Sequence, residues 1–172
     1  KADSDREEKV TEAKAHMNAM RLERARGLKG IALFYEKKRQ WVAAHTYYGQ
    51  INQALIIDVL NDPDHEAEAK ELQSFANKRL SEELFQWRVR DALELYAEAQ
   101  KAEKKNRPFT AQREYRKVKL NLEILPADLE RAATAAEIDL VRLQEIQSAV
   151  TADLERIQQL LDERELARSR ED

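Results

Sequence analysis

The chain has 172 residues, 42 % hydrophobic and 37 % charged, which supplies a core and leaves a surplus of charge suited to long exposed helices. A formal net charge of −3 excludes a strong overall field for DNA or anionic lipid, and the absence of cysteine excludes disulfides, thiolate nucleophiles and cysteine zinc sites. No apolar run of about 18 residues occurs, so no transmembrane segment is expected, and membrane association is left to peripheral or lipid-anchored modes.

Only three glycines and three prolines punctuate a chain dominated by Ala, Glu, Leu, Arg, Lys and Gln, the good helix formers. The first helical segment is expected over residues 5–38, with Val10, Ala13, Met17, Met20, Leu28, Ile31 and Tyr35 recurring at three- and four-residue steps on its inner face. Gly27 and Gly30 inside that pattern suggest close approach of a neighbouring helix, or a break into two shorter helices near Gly27. The second segment, 41–60, carries Trp41, Ala44, Tyr48, Ile51, Leu55 and Val59 inward, widened by Ile56, Ile57 and Leu60. Asn61, Asp62 and Pro63 stop it, with Asp62 placed to cap the next helix.

The third segment covers 64–105 with Leu72, Ala76, Leu80, Leu84, Trp87, Leu95 and Ala99 on its face, as one helix or as two meeting near Leu80. A fourth runs over 110–125 with Tyr115, Val118 and Leu122 inward. The fifth, 126–166, holds a heptad from Leu129 through Ala133, Ala136, Leu140, Leu143, Gln147, Val150, Leu154 and Ile157 to Leu161, and a frayed end from Glu163 to Asp172.

Leu28, Ala32, Tyr35, Ala44 and Tyr48 have the spacing of a helix–turn–helix repeat, in which alanines let two helices touch and rings fill the wedge beside them. Ala111, Tyr115, Val118 and Leu122 echo Ala44, Tyr48, Ile51 and Leu55, each 67 residues later. The stretch from Gly27 to Leu55 resembles the tetratricopeptide-type repeats of bacterial outer-membrane lipoproteins, including the BamD-like group, and residues 62–69 resemble the restart of a following helix pair. The tryptophan of that pattern is replaced by Leu28, and Ile51 stands where a small residue is usual. The resemblance implies a scaffold that binds other proteins at the periplasmic face of an outer membrane. The chain begins at Lys1 without methionine, which fits a trimmed segment or a mature protein whose leader has been removed. The expected fold is all-α: roughly four to six antiparallel helices in one elongated domain over 1–172, with a tetratricopeptide-like pair at 25–60 and a long heptad helix at 126–166.

Sequence offers little for catalysis. His16, His45 and His65 lie on separate segments, no Glu-x-x-His set exists, and no glycine-rich phosphate loop or GxSxG serine occurs, so neither an enzyme nor a metal or other cofactor is expected. A binding role against another protein leads, with Lys29, Leu33, Glu36 and Lys37 lining the concave side of the first helix pair. Tyr47 and Tyr96 lie off their own stripes, as exposed anchors. A second candidate is the basic stretch Lys101, Lys104, Lys105, Arg107, Arg113, Arg116, Lys117 and Lys119, set around a turn with only Glu103 and Glu114 against it. It suits an acidic protein, phospholipid headgroups or nucleic acid, although no nucleic-acid-binding motif accompanies it, and the acidic fifth segment is expected to neutralise part of it. Self-association through the heptad from Leu129 to Leu161 is the structural alternative.

Overall fold

The computed structural model describes residues 1–171, and Asp172 lies outside the described residues. The fold is all-α: 88 % of the described residues are helical and no strand occurs among them. In chain order the helices are α1 (Ala2–Lys37), α2 (Trp41–Ala54), α3 (Ile57–Leu60), α4 (Glu66–Lys78), α5 (Leu84–Lys104), α6 (Pro108–Asn121), α7 (Pro126–Ala136) and α8 (Leu140–Glu171). One domain was expected over 1–172, and the contacts cluster into two compact units, one from Lys1 to Leu84 and one from Phe85 onward. Each unit gathers small and large apolar residues of its own helices into a core.

In the first unit α1 packs along α2, with α4 completing the layer. The first helix runs unbroken through Gly27, but its buried face is Asn18, Leu22, Ala25, Leu28 and Ala32. Val10, Met17, Met20 and Ile31, expected inside, are exposed. Ala25, Ala32 and Ala44, each fully buried, permit the close α1–α2 approach, which selects the alanine face over the methionine face. The glycines are not the point of that approach, since a Cβ at Gly27 or Gly30 would meet no atom within 4 Å. The segment expected at 41–60 is interrupted at Leu55–Ile56, and Ile56 and Ile57, expected to widen the core, point to solvent. Asp62 closes the linker to α4 by accepting the Asp64 amide (3.0 Å) and the Asn18 side-chain amide (3.1 Å). These donors hold its carboxyl below the ordinary carboxylate range.

A π-helical turn, Arg79–Glu83, carries α4 into α5 without the chain leaving helical geometry, so residues 66–104 are continuous in backbone but not in period.

In the second unit Val89, Ala92, Tyr96, Ala99, Tyr115, Val118, Leu129, Leu143, Ile146 and Ile157 belong to one core. The heptad segment is not one helix. It breaks after Ala136, where Glu137 adopts left-handed backbone (φ 56°) and the Ile138 amide donates to the Ala133 carbonyl at 2.9 Å. That closure satisfies the last carbonyls of α7 and needs no glycine. The heptad residues on both sides of it turn into the core of their own unit, so the seam proposed for self-association is occupied. The end expected to fray from Glu163 is helical to Glu171, with nearly every side chain there exposed.

The two units share a design. Ala25, Ala32, Glu36, Arg39, Ala44, Tyr48, Ile51 and Leu55 in the first correspond, 67 residues on, to Ala92, Ala99, Glu103, Asn106, Ala111, Tyr115, Val118 and Leu122 in the second. Each helix hairpin ends its first helix on a left-handed residue, Arg39 (φ 56°) or Asn106 (φ 59°). The following amide then donates five residues back, Gln40 to Tyr35 at 3.0 Å and Arg107 to Ala102 at 2.9 Å. Each then places a buried tyrosine against the glutamate at the end of the first helix, Tyr48 to Glu36 at 2.6 Å and Tyr115 to Glu103 at 2.8 Å.

Candidate functional site

The hairpin networks explain where several expected surface residues went. Glu36 accepts from the Tyr48 hydroxyl and from Arg79 (2.8 Å), so it serves the first unit internally. Burial, reinforced by Glu36, pushes the Tyr48 hydroxyl well above the ordinary phenol range. The half-buried Lys29 places its ammonium 4.2 Å from the Phe75 ring centroid. Tyr47 is half-buried and stacks on Tyr35 at 5.3 Å, with the rings only 8° from parallel. Of the first group, Leu33 and Lys37 alone are exposed. Tyr96, expected as an exposed anchor, is a core residue of the second unit. Its hydroxyl donates to Asp153 at 2.9 Å and its ring meets Tyr115 edge-on at 5.7 Å. The face position that looked peripheral on an isolated helix is covered by α6 and α8.

The basic stretch has a different fate. Lys101, Lys104 and Lys105 lie at the end of α5, Arg107 in the turn, and Arg113, Arg116, Lys117 and Lys119 on α6, and all eight are exposed. Glu114, itself buried, engages Arg113 (2.9 Å) and Lys117 (3.7 Å). Glu103 is taken by Arg156 of α8 (2.7 Å), which with the Tyr115 hydroxyl holds its carboxyl below the ordinary range. Arg164 of α8 donates to Asn106 in the turn. The neighbouring helix thus brings Arg156 and Arg164 to this end, together with Asp153 and Asp162.

Sequence reasoning missed the apolar part of this surface. Phe109, 73 % exposed, and Leu120, 46 % exposed, stand on the same solvent face of α6 as Arg113 and Arg116. Steps of four, three and four residues place these side chains in one stripe about 16 Å long. The helix can present it because its opposite face, Ala111, Tyr115, Val118 and Leu122, is buried, and because its last carbonyls are served from within the unit. The buried Arg88 donates to the carbonyls of Asn121 (3.0 Å), Leu120 (3.1 Å) and Glu123 (3.0 Å), and Gln147 donates to that of Leu122 (2.7 Å). A shallow groove of about 390 Å³ beside this end, between Ile124 and Thr151, adds apolar wall.

No group of three His, Asp or Glu side chains able to hold a metal ion occurs among the described residues, and no helix is long and apolar enough to cross a membrane. The α6 stripe can attract anionic groups and bury two apolar side chains at its ends, which is non-covalent chemistry. No family model, curated protein or solved structure matches this chain.

Proposed function

We propose that the chain is a non-enzymatic helical scaffold that binds another protein, and that α6 is the face it uses. The carrying observation is the stripe Phe109–Arg113–Arg116–Leu120, an exposed apolar anchor at each end of a cationic row on a helix whose other side is locked into a core. The complementary partner is a segment with carboxylates between two apolar residues. Charges steer it on, and the exclusion of water around Phe109 and Leu120 holds it. A preformed α6 leaves little ordering cost for the scaffold's side of the contact. The resemblance of residues 27–55 to tetratricopeptide-type lipoproteins supports a scaffold role and suits a bacterial envelope complex as its setting.

The test is fluorescence anisotropy of the full chain with a Glu-rich peptide carrying leucines about three turns apart. Binding is expected at low salt, weakening as salt rises. It is expected to fall at least roughly tenfold in Arg113→Glu/Arg116→Glu and in Phe109→Ser, with unchanged circular dichroism. Equal binding by these variants sinks the reading. Tighter binding to phosphatidylserine vesicles or to a single-stranded oligonucleotide than to the peptide replaces it with an adaptor for anionic membrane or nucleic acid.

A further inference from the structure

The second face of α1 enters neither core among the described residues, and of its large side chains Phe34 meets Tyr35 edge-on (5.5 Å) and lies under the Lys38 ammonium (4.4 Å). From Val10 to Phe34 it repeats in alternating three- and four-residue steps, a heptad seam about 36 Å long. Its large apolar members, Val10, Met17, Met20, Ile31 and Phe34, are each between 42 % and 56 % exposed. Gly27 belongs to the same seam, and nothing in the chain lies within 4 Å of where its Cβ would be. A glycine there weakens the helix without any intrachain contact that requires it.

We propose that this face pairs with α1 of a second copy of the chain, running antiparallel. With the centre near Leu22, Val10 meets Phe34 of the second copy, Ala13 meets Ile31, Met17 meets Gly27 and Met20 meets Arg24. Each layer joins one first-core and one second-core heptad position, the layering that antiparallel helices produce. Sizes also alternate: the two smallest seam residues face two large ones, so Met17 fills the space that Gly27 leaves open, and the Arg24 stem lies along Met20. Charge selects the direction. Arg24 lies on the seam itself and is exposed. Parallel pairing in register would set Arg24 against Arg24 and Gly27 against Gly27, and antiparallel pairing separates both. The surface lies in the first unit and does not depend on the α6 reading.

Sedimentation velocity of the full chain over rising concentration should show twice the chain mass. Met17→Glu/Met20→Glu should sediment at the chain mass throughout with unchanged circular dichroism, because both side chains already face solvent. Arg113→Glu/Arg116→Glu should dimerise as the parent does, which separates this face from α6. The chain has no cysteine, so direction is read directly. Ala13→Cys and Ile31→Cys proteins should form a disulfide when mixed and oxidised, and neither should do so alone. A chain that stays at single mass at high concentration, a dimer that survives Met17→Glu/Met20→Glu, or an Ala13→Cys protein that links to itself overturns the proposal.

Discussion

Glu103 shows how much one carboxylate can organise. Arg156 reaches it from α8 (2.7 and 2.9 Å) and the Tyr115 hydroxyl from α6 (2.8 Å), so three helices meet at one group. Its carboxyl is lowered from the ordinary value of 4.5, chiefly by the Arg156 hydrogen bonds. A lowered carboxylate stabilises the fold above its unfolded value, and that contribution is lost as pH falls through the folded value. The parent should therefore lose stability below about pH 4.5, and Glu103→Gln should be less stable at neutral pH with a flatter acid limb. Urea midpoints measured across that range check it. Sequence alone could not select Glu103, because the chain carries 33 acidic residues and only the fold brings Arg156 within reach. The same holds for Arg88, which reads as one more helix-surface cation until its three carbonyl partners are seen.

At the scale of elements, composition made the helical class plain, and the helix start at Pro126 follows from a residue that suits a first turn, while α6 begins at Pro108, two residues before the start expected at 110. The stop at Ala136 was hidden because its signal is conformational. Glu137 takes a left-handed backbone that a side chain makes costly, and no glycine marks it. The heptad also keeps phase across the break, since α7 and α8 turn to the same core. Glu137→Gly should accordingly raise thermal or urea stability by about 1 kcal/mol. A destabilising effect would mean that the Glu137 side chain contributes more than the backbone relief. The inner face of α1 was misread for a related reason. Both faces carry apolar residues at helical spacing, and periodicity does not say that small ones win where two backbones approach closely.

Across the whole molecule, the 67-residue correspondence was visible in four apolar positions of α2 and α6. The rest became recognisable once the turns and the tyrosine–glutamate bonds could be compared. Ala44 and Ala111 occupy the same place in the two hairpins and each is fully buried. Ala44→Leu and Ala111→Leu should each cost about 1–3 kcal/mol by overpacking, read from urea unfolding followed by circular dichroism. If one is costly and the other neutral, the two hairpins are alike in trace but not in packing. The candidate surface was legible as a basic run, while its apolar ends depended on knowing which side of α6 turns outward.

Every residue from Ala2 to Met17 is solvent-exposed, yet the backbone there is helical. A free peptide of that length is marginal in water, because the first turn is expensive to nucleate. Here the anchored turns at Leu22–Ala32 already supply the nucleus, and each further residue needs only a propagation step near thermal balance. In the lone chain the rod should therefore shorten gradually from its tip on warming, while the cores below it melt in cooperative transitions. The exposed half of α1 is in that sense a temperature-dependent length.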